Sequence, residues 1–129
     1  MKQNKIINQI VEFEFIKKFV YFGIWSDEDY WKFDDFMLNL YNKFSAQNPP
    51  REVLAVVVYI FKILKTPYIT EILTTKNIIS DENGEQIDIV DRFDRIRDLC
   101  MAIFDREVYS DMNRYDLFAY SPRGCGYVR

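Results

Sequence analysis

The sequence predicts a mainly α fold: a single-domain helical bundle of about five helices, with one small β-hairpin near Asn83-Gly84. Three observations lead to this fold class. Apolar residues recur at helical spacing along most of the chain, helix-start and helix-stop residues separate these runs, and only four glycines interrupt them. Because 129 residues without a linker or repeat suit one core, we expect a single helical domain, 1–129, with a C-terminal tail at 121–129.

The first predicted helix covers residues 3–22 and ends at Gly23, a typical C-terminal stop. It is apolar on two nearly opposite sides, as expected of a helix at the centre of a fold or between two subunits, so it predicts a homodimer. The alternation in "VEFEF" leaves a strand across Ile10–Phe15 as the alternative. The two apolar stripes are Ile6, Ile10, Phe13, Ile16 and Val20, and Val11, Phe15, Phe19 and Phe22.

The second helix is predicted to begin after Ser26, whose hydroxyl can cap a helix N-terminus. Carboxylates at positions 27–29 favour the positive end of the helix dipole. Apolar residues then repeat at helical spacing, so one face of this helix is expected to be buried. The residues predicted to face inward are Tyr30, Phe33, Met37, Leu40 and Phe44.

The third helix is predicted between Asn48-Pro49-Pro50 and the residue before Pro67. Residues 53–64 are apolar except for Lys62, which predicts a buried helix. The β-branched run "VVVYI" leaves a buried strand as the alternative. Thr66-Pro67 then opens a shorter helix.

Asn83-Gly84 is the residue pair preferred in tight β-hairpins, and three or four plausible strand residues lie on each side of it. The alternative is a loop in which Gly84 merely precedes the next helix. Apolar spacing predicts that helix from Ile87 through Glu107. One more short helix is expected after Ser110, before the tail.

The composition excludes several catalytic chemistries. The chain has no histidine, which is the base of Ser-His and Cys-His systems and the commonest ligand of zinc and iron. Its two cysteines, Cys100 and Cys125, form no disulfide framework and cannot complete a structural zinc site without histidine. There is no glycine-rich phosphate loop. We therefore expect no enzymatic activity, no cofactor and a reduced, cytoplasmic protein.

No membrane association is expected either. The N-terminus has no clean apolar run followed by a small-residue cleavage site, so it predicts no signal peptide. The longest apolar run, Val53–Phe61, is about half as long as a bilayer crossing requires.

Five carboxylates between positions 27 and 35 leave a magnesium-dependent phosphoryl-transfer enzyme as the least favoured alternative. The preferred interpretation assigns Asp27, Glu28 and Asp29 to the helix N-terminus, where the dipole stabilises negative charge. Asp34 and Asp35 are then expected on the exposed side of the helix.

The segment "DIVDRFDRIRD" places Asp88–Arg92 and Asp91–Arg95 at i,i+4 spacing. This pattern predicts a salt-bridged, solvent-exposed helix face, with a charged docking surface as the alternative. A net charge of −3 and arginines that each have a carboxylate within reach argue against a nucleic-acid partner.

A winged-helix DNA-binding regulator remains the second alternative, because a helix, a short helix and a possible hairpin follow one another. Its recognition helix would lie in "TPYITEILTTKN", which offers few of the long polar side chains that read base edges.

Aromatic residues make up 17% of the chain, more than a small core holds, and exposed aromatics with arginine are typical of protein interfaces. Two tryptophans lie at a predicted helix corner, where core packing is the common role and an exposed indole would be a binding anchor. The tail combines tyrosine and arginine with a flexible Pro-Gly backbone, which suits a contact arm. The predicted partner-binding residues are Trp25, Trp31, Tyr120, Arg123, Tyr127 and Arg129.

These observations predict a non-enzymatic protein-binding or regulatory module. The residue usage, rich in Ile, Asn, Lys, Tyr and Phe, suggests an AT-rich genome. Small acidic proteins of this kind are often inhibitors or accessory factors of phages and mobile elements that act on a host protein, which is an association with a class rather than with a motif.

Overall fold

The computed structural model describes residues 4–44, 49–64 and 78–104. Helices hold 75% of these residues, so the mainly α fold class is confirmed. The segments predicted as helices after Thr66-Pro67 and after Ser110 lie outside the described residues. In chain order the described elements are α1 (Lys5–Val11), α2 (Glu14–Phe22), α3 (Asp27–Lys43), α4 (Arg51–Leu64), β1 (Ile78–Ser80), β2 (Gln86–Asp88) and α5 (Ile89–Phe104).

The predicted helix over residues 3–22 is broken into two, and the strand alternative across Ile10–Phe15 is also wrong. The break lies at Glu12 and Phe13, where the backbone of Phe13 is extended (φ −64°, ψ 134°). A continuous helix would place Ile10 and Phe19 on opposite sides, yet both are fully buried. The break therefore lets both apolar stripes reach one core, and the observation that suggested a homodimer has an explanation within a single chain.

Asn4, which the sequence patterns did not single out, caps the N-terminus of α1. The Asn4 side-chain oxygen accepts hydrogen bonds from the backbone N–H groups of Ile6 and Ile7, at 3.0 and 3.1 Å. Its amide nitrogen donates to the carbonyl oxygen of Glu52 at 2.8 Å. This cap thus joins the start of α1 to the first turn of α4.

The corner between α2 and α3 follows the predicted signals. Gly23 ends α2 in the left-handed conformation (φ 69°), and its N–H donates to the carbonyl oxygen of Phe19 at 3.0 Å. The Ser26 hydroxyl accepts from the N–H of Asp29 at 3.3 Å and caps α3. Four of the five residues predicted to face inward along α3 are buried, and Phe44 is half-buried.

Helix α4 is confirmed as a helix, and the buried-strand alternative is wrong. It begins directly after Pro50, whose carbonyl oxygen accepts from the N–H groups of Val53 and Leu54 at 3.0 and 3.2 Å. Val53, Val56, Val57 and Ile60 form its buried face, which packs between α1 and α5. Within the described part of the chain, no helix combines the length and the apolarity that a bilayer crossing demands.

The hairpin near Asn83-Gly84 is confirmed, although its turn is longer than the tight two-residue form. β1 and β2 pair antiparallel, with Ile79 opposite Ile87. The N–H of Gly84 donates to the carbonyl oxygen of Asp81 at 3.0 Å, and Gly84 has a φ of 84°, so a β-turn is followed by a left-handed residue. The buried Asp81 carboxylate accepts from the N–H groups of Asn83 and Glu85, both at 2.9 Å.

Helix α5 begins two residues later than predicted, because Ile87 lies in β2. The Asp88 side chain accepts from the N–H of Asp91 at 3.1 Å and caps the helix. Helix α4, which was predicted to be buried, packs on α1 and α5. However, the largest fully buried side chains come mainly from α2, α3 and the corner between them: Trp25, Tyr30, Phe15, Phe19 and Phe33.

Candidate functional site

Neither Trp25 nor Trp31 is available as the exposed binding anchor that the sequence suggested. The side chains retain 2% and 5% of their exposure, so the core-packing interpretation describes both. The Trp25 ring lies edge-on to the rings of Phe15 and Phe19, with centroids 5.0 Å apart in each case, and stacks on Tyr30 at 5.4 Å. Trp25 is buried because these three aromatic rings enclose its indole.

The Asp27 carboxylate binds both indoles and one arginine. Its Oδ1 accepts from Trp25 Nε1 at 3.1 Å, and its Oδ2 accepts from Trp31 Nε1 at 3.2 Å. Arg92, which α5 supplies, donates from Nε to Oδ1 at 3.0 Å and from Nη2 to Oδ2 at 3.2 Å. Asp27, which the sequence analysis assigned to the N-terminus of α3, therefore also links α3 to α5.

Asp34 is buried rather than exposed, which corrects the sequence prediction. It keeps 1% of its surface and accepts from Arg95 Nε and Nη2 at 2.5 and 3.2 Å. The Tyr30 hydroxyl lies 3.0 Å from Asp34 Oδ2. Asp34 and Arg95 therefore form a two-pronged ion pair inside the interface between α3 and α5.

The predicted solvent-exposed arginine face of α5 is also wrong for two of its three arginines. Arg92 and Arg95 retain 11% and 7% of their side-chain exposure and pair with α3, whereas Arg97 stays on the surface. The Trp31 ring lies between them, with its centroid 5.1 Å from Arg92 Cζ and 5.4 Å from Arg95 Cζ. We call the interhelical group Asp27, Asp34, Arg92 and Arg95 the ionic cluster.

Burial, hydrogen bonds and neighbouring charges shift the pKa values of Asp27 and Tyr30. Burial raises the pKa of the Asp27 carboxyl, but hydrogen bonds from Arg92 and Trp25, the charge of Arg92 and a bond from Trp31 lower it more. The net pKa of Asp27 lies below its ordinary value of 3.8. Burial and the nearby Asp34 carboxylate hold the pKa of Tyr30 well above 10.0, so its hydroxyl remains protonated. With its pKa lowered, the Asp27 carboxyl is charged at neutral pH and pairs with the Arg92 guanidinium.

These contacts argue against the magnesium-site alternative, because they pair its carboxylates with basic side chains. Asp27 and Asp34 are occupied by arginines, and Asp29 accepts from Lys18 Nζ at 2.9 Å. Among residues 4–44, 49–64 and 78–104, no group of three or more carboxylate or thiol side chains is arranged to hold a metal ion. Cys100 is buried, and burial raises the pKa of its thiol to about 12.

Beside the ionic cluster, three large apolar side chains are exposed where α2 ends. Tyr21, Phe22 and Ile24 retain 65%, 76% and 47% of their exposure, and Gly23 lies among them. We call these three residues the exposed corner. Sequence reasoning missed this surface, because the apolar stripe that contains Phe22 was assigned to the interior. A signal was present, since Gly23 ends the helix at that point and the next turn that would cover Phe22 does not exist.

An acidic edge borders this corner. Between residues 78 and 91 the chain carries five carboxylates and no lysine or arginine. The N–H of Glu82 donates to the carbonyl oxygen of Trp25 at 2.8 Å, which fixes the hairpin turn against the end of the corner. We call the exposed carboxylates of the hairpin and of the first turn of α5 the acidic rim: Glu82, Glu85, Asp88 and Asp91.

A shallow groove of about 510 Å³ lies at the break between α1 and α2. The rings of Phe13 and Phe36 line it, with centroids 5.2 Å apart. Its polar border is formed by Asn8, Gln9 and Glu12, and Glu12 pairs with Lys17 at 3.0 Å. The groove is separate from the ionic cluster and contributes no residue to it.

The other predicted site residues lie outside the described residues. These are the four tail positions and the segment proposed as a DNA-recognition helix: Tyr120, Arg123, Tyr127, Arg129 and residues 66–77. Comparisons of this chain with protein-family models, with curated proteins and with solved structures find no match.

Proposed function

We propose that this chain is a non-enzymatic protein-binding module that contacts its partner through the exposed corner. The observation that carries the proposal is the exposure of three large apolar side chains within four residues of the chain, Tyr21, Phe22 and Ile24. Grouped apolar surface of this kind, with a polar border, is typical of protein interaction sites. The predicted tail residues remain a second candidate contact.

The contacts of the carboxylates and arginines support a binding role over catalysis. Asp27, Asp34, Arg92 and Arg95 satisfy one another in the interface between two helices, so their charges stabilise the fold. The chain also lacks histidine, so no neutral-pH imidazole base is present. A reduced cytoplasmic protein, acting as an inhibitor or accessory factor of a mobile element, is the form of this function that the composition favours.

The hairpin supports a protein partner over DNA. In a winged-helix regulator the hairpin would approach the phosphate backbone, and contacts to phosphates need lysine or arginine. Residues 78–91 instead carry five carboxylates and no basic side chain. A gel shift with random duplex DNA at low salt is expected to show no binding, and a salt-sensitive shift would revive the DNA-binding alternative.

The test of the proposal is affinity capture from the source cell, with captured proteins quantified by mass spectrometry. We expect the wild type to retain a specific protein that Tyr21→Ser with Phe22→Ser loses by about tenfold or more, because central aromatic contacts dominate interface energy. Met101→Ser is the matched control, since it removes an apolar side chain that is also exposed (43%). Met101 lies on α5, about two helical turns from Phe93, the residue of α5 that contacts Trp25.

Deletion of residues 121–129 forms the second arm of the experiment. If the partner survives the deletion but not the corner substitutions, the corner is the binding site. If the reverse holds, the tail is the contact and the chain is still a binding module. Capture that neither change affects, or no reproducible capture at all, would contradict the proposed function.

A further inference from the structure

We propose that the exposed corner binds a partner surface that has an apolar centre flanked by lysine or arginine side chains, such as one face of a basic amphipathic helix. This inference rests on the proposed protein-binding function and adds the chemistry of the partner. It follows from the exposed apolar side chains of the corner, from the acidic rim fixed next to Trp25 and from the distribution of charge around them.

Lys18 connects Phe22 of the corner with Glu82 of the rim. Phe22 lies four residues after Lys18 on α2, so the two side chains share a helix face. Lys18 Nζ contacts the Glu82 carboxylate at 3.2 Å, and the Glu82 N–H donates to the carbonyl oxygen of Trp25, the residue after Ile24. A molecule that covers the apolar side chains would therefore also approach the hairpin turn.

This surface carries excess negative charge. Glu85 and Asp88 are exposed and form no salt bridge with the described residues. Lys18 and Arg92 are less exposed than the rim carboxylates that they contact. Their side chains retain 31% and 11% of their exposure, against 37% for Glu82 and 54% for Asp91. Each of these two cations contacts two carboxylates, so it cannot neutralise both. Lys18 contacts Asp29 and Glu82, and Arg92 contacts Asp27 and Asp91.

The same charge argues against a second copy of this chain as the occupant. A two-fold dimer through the corner would bring the same patch of both subunits together, and with it two acidic rims. Like charges in such a contact oppose association, whereas basic side chains around an apolar centre would complement it. We therefore assign the corner to a partner with basic flanks.

The probe for the test is a dye-labelled amphipathic peptide with leucine on one helical face and lysine on the others. A matched peptide carries glutamate in place of lysine. Binding of the full-length chain is measured by fluorescence anisotropy at low and at high salt. The protein variants are Tyr21→Ser with Phe22→Ser for the corner, Glu85→Gln with Asp91→Asn for the rim, and Met101→Ser as the control. Thermal melts check that each variant is folded.

We expect the lysine peptide to bind at least about tenfold more tightly than the glutamate peptide, with an affinity that falls as salt screens the rim. The corner substitutions should weaken binding by about tenfold or more, and the rim substitutions by about threefold to fivefold. Met101→Ser should leave it unchanged. Equal binding of both peptides, or lysine-peptide binding that the corner substitutions do not weaken, overturns the inference.

Two further measurements separate this inference from the proposed function. Analytical ultracentrifugation tests for self-association, and a dimer that the corner substitutions dissolve would make a second copy the occupant and overturn the inference. If affinity capture succeeds through the corner but the captured protein presents an acidic or purely apolar contact, the function stands and the partner chemistry is wrong. If capture depends on neither the corner nor the tail, the proposed function itself fails.

Discussion

The ionic cluster and the exposed corner are neighbours built around aromatic residues, but their side chains have very different surroundings. In the ionic cluster, Asp34 keeps 1% of its surface and Arg95 keeps 7%, and each is the other's partner. In the corner, Phe22 keeps 76% of its surface, although Phe19 on the preceding turn keeps none. Arg92, Arg95 and both tryptophans belong to residue types typical of binding hot spots, but here they are largely buried.

This difference shows that residue type alone does not reveal a binding role. Arg92 and Trp31 would suit an interface by composition. Both are instead satisfied within the chain, by Asp27 and by each other. A side chain whose polar groups and ring already have partners within the chain gains little from binding another protein. An exposed apolar ring gains more, because binding removes its surface from water.

The largest expected effect is the loss of stability when the buried pair is broken. Asp34→Ala leaves the Arg95 guanidinium without its carboxylate inside the interface between α3 and α5. An uncompensated buried charge of this kind costs about 3–5 kcal/mol in the free energy of unfolding. Urea denaturation followed by circular dichroism measures the change.

Asp34→Leu with Arg95→Leu is the control for that prediction. Removing both charges leaves no unpaired ion, so the double variant should be less destabilised than Asp34→Ala. If Asp34→Ala loses less than about 1 kcal/mol, the pair behaves like a surface salt bridge and the cluster does not organise the interface.

A second prediction concerns acid. Because the pKa of Asp27 is lowered in the folded state, its ion pair stabilises the fold above pH 3.8, and that stability is lost as pH falls through the lower, folded-state pKa. Asp27→Asn should therefore reduce stability at neutral pH by about 1–3 kcal/mol and lose less than the wild type on acidification below about pH 4. Thermal melts across this pH range measure both effects.

Glu28→Gln is the matched control for the acid prediction, because it removes an exposed carboxylate from the same helical turn, 4.0 Å from Lys32. It should keep the acid dependence of the wild type. If the stability of Asp27→Asn falls with acidification as steeply as that of the wild type, other carboxylates govern the acid response.

The smallest expected effect is on stability at the corner. Phe22→Ser should change the free energy of unfolding by no more than about 0.5 kcal/mol, since its side chain is mostly in water already. Phe19→Ala, three residues earlier on the same helix and fully buried, should cost about 3–5 kcal/mol. Similar losses for the two variants would place Phe22 in the core and remove the basis of the binding surface.

Much of the fold could be predicted because caps, helix ends and turns depend on residues that are close together in the sequence. Ser26 caps α3, Gly23 ends α2, and Asn83-Gly84 lies in the turn of the hairpin, each as its residue type favours. The inward face of α3 also followed from apolar spacing. The break at Phe13 was missed, because no proline or glycine marks it and only packing against Phe33 and Phe36 requires it.

The candidate site was harder to predict, because its charged residues pair across helices. Asp34 follows the buried Tyr30 by four residues and precedes Met37 by three, so helical spacing alone places it on the inward stripe. Arg95 similarly precedes the buried Leu99 by four residues. The polar character of both side chains favoured the surface, and nothing in one sequence states that each would meet the other.

By itself, the sequence determined the helical class, the Ser26 cap of α3, the Gly23 end of α2, the turn of the hairpin and the absence of histidine chemistry. These properties depend on residues a few positions apart, whose hydrogen bonds and backbone preferences act within one turn. Only the tertiary structure decided which charges are buried and which apolar side chains remain exposed. Burial depends on neighbours distant in the chain, as when α5 brings Arg95 to Asp34 while the end of α2 leaves Phe22 uncovered.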